Sequence, residues 1–252
     1  HASIVDGAFL SGGKIERFRH NDMDHLERVL KSLPEEKGKL LVVDGLFSME
    51  GDIAPLPRMV ELCEAYNVRL MVDDAHAFGV LGGGRGTAAH FGLTDKVDLI
   101  MSTFSKSMAS IGGFIAGDFA VVDYIKHHAR SLIFSASIPP ANTATVLAAL
   151  QVMKEEPERI ERVNQNGAFM RQGFKKLGFD TGASCTPVVP IIIGDDARTF
   201  ESWRRLFEEG VFVNPVMSPA TSPGRQLLRT SYMATHTQAQ LEHVLDVFAQ
   251  VG

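Results

Sequence analysis

Val68-Arg69-Leu70-Met71-Val72 runs into Asp73-Asp74-Ala75-His76, and Val97-Asp98-Leu99-Ile100-Met101 runs into Ser102-Thr103-Phe104-Ser105-Lys106-Ser107. Each is a short apolar stretch of buried-strand type that ends in polar, chemically capable side chains. Lys39-Leu40-Leu41-Val42-Val43-Asp44 precedes them as a third such run, and Gly112-Gly113-Phe114-Ile115-Ala116-Gly117 follows as a strand bracketed by glycines. Between the first two, Leu56 to Tyr66 carries Met59, Val60, Leu62 and Cys63 at helical spacing. Strands alternating with helices imply βαβ units, right-handed crossovers and a mainly parallel sheet. Open sheets of this kind bind ligands beyond the carboxyl ends of their strands, where the two acids, the imidazole and the lysine fall.

The second half reads differently. Pro139-Pro140 closes an extended stretch, a helix follows over Ala141 to Lys154, and Pro157 separates it from another over Glu158 to Leu177. Beyond Gly178 the pattern predicts strands at Val188 to Ile193, Val211 to Val213 and Gln226 to Tyr232. Helices are predicted at Ala197 to Glu209 and Gln238 to Ala249. That is a compact α+β module. The boundary falls near 155–160, with 1–157 as part of a large ligand-binding domain and 158–252 as a smaller C-terminal domain.

Bulk properties exclude several classes. A formal net charge of −5 offers nucleic acid no electrostatic support. No apolar run reaches the roughly 20 residues of a membrane span. Cys63 and Cys185 lie far apart and outside metal-ligand spacing, which reads as buried thiols in a reducing, cytoplasmic compartment. His127 and His128 are adjacent, so on a helix they point about 100° apart and make a poor metal pair. No metal is expected. Gly82-Gly83-Gly84-Arg85-Gly86 matches neither the dinucleotide nor the P-loop fingerprint and reads as a flexible connection. His1-Ala2-Ser3-Ile4-Val5-Asp6-Gly7 has no initiator Met and no signal-peptide pattern, and it reads as the middle of a domain with an N-terminal segment missing.

Two acids directly after a buried strand are costly unless they meet a cation or end at a crevice. A carboxylate opposite a pyridinium keeps that nitrogen protonated and makes the ring an electron sink. A lysine able to form a Schiff base supplies the other half of what pyridoxal phosphate requires of a protein. His76 suits the ring's phenolic oxygen, Thr103 and Ser105 suit phosphate oxygens, and Ile111-Gly112-Gly113 favours close backbone approach. The competing reading has Asp74 capping a helix, His76 exposed and Lys106 as an ordinary solvated lysine.

The constellation resembles the α-oxoamine synthases, a family of fold-type-I pyridoxal-phosphate enzymes. The segments that carry the resemblance span nearly the whole chain. They are His1-Ala2-Ser3, Phe18-Arg19-His20-Asn21-Asp22, Phe47-Ser48-Met49-Glu50-Gly51-Asp52, Asp73-Asp74-Ala75-His76, Gly84-Arg85-Gly86, Thr103-Phe104-Ser105-Lys106, Ser135-Ala136-Ser137-Ile138-Pro139-Pro140 and Leu227-Leu228-Arg229. The resemblance implies an aspartate-aminotransferase-like α/β fold, with a mainly parallel sheet sandwiched by helices and a smaller α+β C-terminal domain. It implies Lys106 as the Schiff-base lysine that also moves the α-proton, Asp73 on the pyridinium nitrogen and His76 on the ring oxygen. His1 would stack on the ring, Ser48 would neighbour the ring oxygen and Thr103 would hold the phosphate. Ser135 and Ser137 would reach the phosphate across a homodimer interface, and Arg229 would clamp the amino-acid carboxylate.

The activity so implied is a decarboxylative condensation of a small amino acid with an acyl thioester, from acyl-CoA or an acyl-carrier protein. The pattern is most similar to the branch that joins L-serine to long-chain acyl-CoA in sphingolipid synthesis. The alternatives are the branch that joins L-alanine to a pimeloyl thioester in biotin synthesis, and a non-catalytic partner subunit on the same fold. An aminotransferase would share the aspartate and lysine, but would not predict the Phe47–Asp52 and Ser135–Pro140 segments. Ala77-Phe78 is bulkier than the family pattern, which bears on side-chain and acyl preference rather than on the chemistry.

Overall fold

The computed structural model describes residues 1–251. They form two compact units, one of His1–Leu46 with Ala54–Val152, the other of Phe47–Ile53 with the chain from Met153 onward.

The first unit contains α1 (Ala2–Leu10), α2 (Met23–Ser32), β1 (Leu40–Asp44), α3 (Leu56–Ala65), β2 (Arg69–Asp73), α4 (Thr87–His90), β3 (Leu99–Thr103), β4 (Gly113–Gly117), α5 (Phe119–His128), α6 (Arg130–Ile133) and most of α7 (Pro140–Glu155). Local chemistry sets several ends. Asp22 caps α2 by accepting from the His25 amide at 2.8 Å, and Pro57 sits in the first turn of α3, where its missing N–H costs nothing. The strands make one sheet in the order β1-β2-β3-β4. β1, β2 and β3 are parallel, and β4 returns antiparallel to β3.

Burial alternates along the parallel strands as a period of two requires: Leu41, Val43, Leu70 and Val72 are buried, while Leu40 is 56% exposed. Leu56, Met59, Val60, Leu62 and Cys63 form the buried stripe of α3. By contrast α1, α5, α6 and α7 bury no residue, and Phe119 and Phe134 stand 81% and 78% exposed.

The second unit contains α8 (Glu158–Lys176), β5 (Val188–Ile192), α9 (Asp196–Glu208), β6 (Asn214–Val216), β7 (Leu227–Ser231) and α10 (Gln238–Val251). Its sheet is antiparallel with β7 between β5 and β6. Met170, Phe174, Val189, Ile191, Leu206, Leu228 and Phe248 meet in one core. Phe174 packs edge-on against Phe248 at 4.8 Å and Phe179 at 6.0 Å between ring centroids.

Three features depart from expectation. Val211–Val213 is no strand: Val211 and Val213 are buried in the core, but the ladder with β7 begins only at Asn214. Alternating burial looks like a strand in sequence even where no ladder forms, and the Val211 amide donates instead to the Leu206 carbonyl at 2.8 Å. Cys185 is exposed on the loop before β5, while Cys63 is buried and its thiol is pushed up to about 12, chiefly by burial. Residues 47–53 pack with the second unit although they follow β1 directly. Gly51 explains this locally: its carbonyl accepts from Thr186 Oγ1 at 2.9 Å and the Cys185 amide at 3.0 Å. Its φ of +66° suits glycine, and an added Cβ would collide with the Val188 carbonyl.

Candidate active site

β2 ends on two acids with opposite fates. Asp74 is 1% exposed, its Oδ2 accepts from the Thr87 amide at 2.9 Å, and its carbonyl accepts from Ser102 Oγ at 3.2 Å. Gly45 and Gly86 leave room for it, since a Cβ at either would strike the carboxylate. Burial raises the Asp74 carboxyl above its ordinary range and Asp73 adds to the rise, while hydrogen bonds from Thr87 oppose it. Asp74 therefore does fasten a helix start, that of α4, but from a distant point in the chain. It serves the structure.

Asp73 is free for other work. It is 4% exposed, and its Oδ1 accepts from the Ala75 amide at 2.9 Å. The register places Asp44, Asp73, Met101 and Ile115 in one row across the four strands. Side chains in such a row share a face of the sheet. Asp44 thus stands beside Asp73 on the neighbouring strand. Burial raises its carboxyl and Asp73 raises it further, while the charge on Lys106 pulls it down.

Lys106 lies on the turn joining β3 to β4, and it is exposed. The turn is closed around Thr103, whose Oγ1 donates to the Gly112 carbonyl at 3.1 Å and accepts from the Ser105 amide at 3.2 Å. Thr103 Oγ1 also lies 2.9 Å from Ser105 Oγ. Gly112 takes a φ of +96°, and a Cβ there would crowd Ile138. Ser107 Oγ donates to the Phe78 carbonyl at 2.7 Å, which ties the lysine turn to the turn that carries His76. Phe78 packs edge-on against Phe114 at 5.2 Å, so the bulky residue after Ala77 forms part of a wall beside the turn.

The structure brings several of the other expected residues to this end of the sheet. His1 caps α1, its Nδ1 is 2.8 Å from Ser3 Oγ, and its backbone nitrogen is 3.5 Å from Asp44 Oδ1. Ser135 and Ser137 are exposed on the extended segment before α7. Ile138 of that segment packs at Gly112, and Ser110 Oγ donates to the Asn142 carbonyl at 3.0 Å. Ser48 and Arg229 belong to the second unit. Arg229 sits in a row with Pro190 and Asn214, and its buried Nε has no hydrogen-bond partner. Asp44 is the residue that sequence reasoning missed. The signal was present, an acid closing an apolar strand as Asp73 does, but only the register reveals that the two are neighbours.

Around one strand end the chain therefore gathers a lysine amine, a buried carboxylate, an imidazole and hydroxyls. That donor set fits pyridoxal phosphate, with a partner each for its aldehyde, ring nitrogen, phenolic oxygen and phosphate. Among the described residues no group of His, Cys, Asp and Glu is placed to hold a metal ion, and no helix is long and apolar enough to cross a membrane.

Comparison with known proteins agrees with the geometry. The family model for aminotransferase class I and II matches residues 1–248. The chain is 52% identical over 252 residues to a serine palmitoyltransferase from Sphingobacterium spiritivorum, covering 100% of this chain and 63% of that protein. It is 44% identical over 254 residues to an 8-amino-7-oxononanoate synthase from Symbiobacterium thermophilum, covering 100% and 65%. A high-resolution structure of SPT with PLP internal aldimine superposes with a TM-score of 0.96 at 36% identity, covering 100% of this chain and 64% of that one. The chain thus spans a little under two thirds of the length of these relatives.

Proposed function

Because the chain belongs to the aminotransferase class I and II family, we propose that it is the cofactor-bearing part of an α-oxoamine synthase that condenses L-serine with a long-chain acyl-CoA. The products are an α-amino ketone, CO₂ and free CoA. The observation that carries this reading is the buried carboxylate of Asp73 at the end of β2, beside the turn that presents Lys106 at the end of β3. The choice of serine rests on the 52% identity to the Sphingobacterium spiritivorum enzyme. The 44% identity to an 8-amino-7-oxononanoate synthase keeps L-alanine with a pimeloyl thioester as the second reading.

Bound pyridoxal phosphate supplies an aldehyde that takes up amines and a cationic ring that accepts the electrons left when an α-proton departs. The chain's own residues do the rest. Lys106 would hold the cofactor through its Nζ and, when that amine is free, would serve as the base that removes the α-proton of the substrate and returns a proton. Asp73 keeps a proton on the ring nitrogen, and its burial strengthens that charge pairing. His76 donates to the ring oxygen, with Ser48 as a second neighbour and His1 stacked on the ring. Thr103 would give its hydroxyl to the phosphate, turning its one proton away from the Gly112 carbonyl to do so, while the Ser105 amide keeps donating to its oxygen. Ser135 and Ser137 reach the phosphate of a homodimer partner, in keeping with their exposure and with the apolar surface left open on α5 to α7. Arg229 clamps the substrate carboxylate, and its unpartnered Nε is a donor awaiting an acceptor. The assembly works in the cytoplasm, without a metal.

The test is to load full-length protein with pyridoxal phosphate, reduce it with borohydride and locate the added mass by peptide mapping. It should sit on the Lys106 peptide and vanish in Lys106→Ala. Adding L-serine, L-alanine and glycine separately, and recording the visible spectrum, then separates the two branches. A response to alanine but not to serine would move the chain to the second reading.

A further inference from the structure

We infer that Asp44, in register with Asp73 on the neighbouring strand, is a second carboxylate of the cofactor site and a positioning residue that makes Asp73 a stronger holder of a cation. This rests on the pyridoxal-phosphate reading and adds to it a residue that none of the motifs contains. β1 and β2 pair over their whole length and stop together, so their last side chains, Asp44 and Asp73, lie side by side on one face. Adjacent strands are about 4.8 Å apart. Like charges so placed repel, and sheets ordinarily avoid them. Here the two are also shielded from water, Asp73 being 4% exposed and the Asp44 side chain 18%.

The strand itself continues through backbone rather than through the Asp44 side chain, with the Gly45 amide donating to the Asp73 carbonyl at 2.8 Å. The pair becomes favourable when a positive charge is set against it. Lys106 supplies one from the next strand end, and its charge already acts on Asp44. A protonated ring nitrogen on Asp73 would supply the second. Its role is thus exerted through Asp73 rather than by touching the reacting atoms.

The experiment uses full-length protein stripped of cofactor and titrated with pyridoxal phosphate, as wild type, Asp44→Asn and Asp44→Glu. Melting temperature and cofactor Kd are measured for each. Removing the like charge should leave the cofactor-free Asp44→Asn protein at or above the wild-type melting temperature. Its cofactor Kd should rise about three- to tenfold, tenfold corresponding to one pKa unit of lost interaction. The rise in melting temperature on cofactor binding should shrink in parallel, and Asp44→Glu should recover both. An unchanged Kd in Asp44→Asn would overturn the inference. So would a lower cofactor-free melting temperature with an unaltered gain on binding, which is what a merely structural strand end predicts. If wild type fails to take up the cofactor on Lys106, the parent reading is what has failed, and the inference falls with it.

Discussion

The two units spend their buried residues differently. In the second, three helices and a three-stranded sheet close around Phe174, Met170, Ile191, Leu206 and Phe248, and the buried polar side chains are mostly hydroxyls, such as those of Thr181, Thr186, Thr199 and Thr230, with Asp52 as a buried acid. In the first, the core is built from the sheet, α2 and α3, with Leu81, Ala88 and Met108 beside them, while the strand ends hold Asp44, Asp73 and Asp74 partly or wholly out of water. Hydrocarbon burial is favourable by itself and needs no ligand. Buried carboxylates are unfavourable by themselves and need partners. The comparison teaches where to look for chemistry: at the unit whose burial leaves an electrostatic requirement unmet, rather than at the one that is better packed.

That contrast can be broken most directly at Lys106. Because the side chain is exposed, Lys106→Ala should leave the melting temperature of the cofactor-free protein nearly unchanged, yet lower turnover by more than about a thousandfold. A large loss of stability would mean that the lysine is part of the frame. The mirror experiment is Phe174→Ala, which empties a fully buried aromatic site and should cost about 3–5 kcal/mol in urea unfolding. A cost near zero would show that the second unit is not held by this core.

A smaller effect is expected at Arg229, the second-unit charge proposed to meet the substrate carboxylate. Arg229→Lys keeps the charge but loses the planar fork, and should raise KM for the amino acid about ten- to hundredfold, the range for losing a hydrogen bond to a charged group. An unchanged KM with full activity would remove Arg229 from the site. The smallest effect concerns Asp74, whose carboxyl is raised by burial and by Asp73 against the pull of Thr87. An acid with a raised folded-state pKa favours folding when protonated, and that contribution is lost as pH climbs from the unfolded value through the folded one. Unfolding free energy measured from about pH 4 upward should therefore fall more steeply in wild type than in Asp74→Asn. Parallel curves would mean that Asp74 titrates alike in both states.

Much of this was legible in sequence because local patterns carry it. Val68–Val72 and Val97–Met101 read as buried strands from composition alone, and both are in the sheet, as β2 and β3, shifted by one or two residues. Lys106, Asp73 and His76 stood out as candidates because they directly follow such strands, and Asp73 is buried there. The fold expected from the resemblance is also the one that superposes on SPT. Asp44 was not legible, since its meaning depends on the pairing of β1 with β2, a relation between residues far apart in the chain. The same holds for residues 47–53, whose place is decided by Gly51 meeting Thr186, Cys185 and Val188. Val211–Val213 misled because burial alternates there without a ladder.

The sequence by itself therefore determined most of the elements and the order of the motifs, because each of these is set by neighbours within a few residues. Only the tertiary structure decided that Asp73 and Asp44 stand together, that Asp74 turns away to Thr87, and that the Arg229 Nε is left without a partner. Those outcomes depend on register and on which face of a strand a side chain takes, and a shift of one residue in pairing would reverse them all.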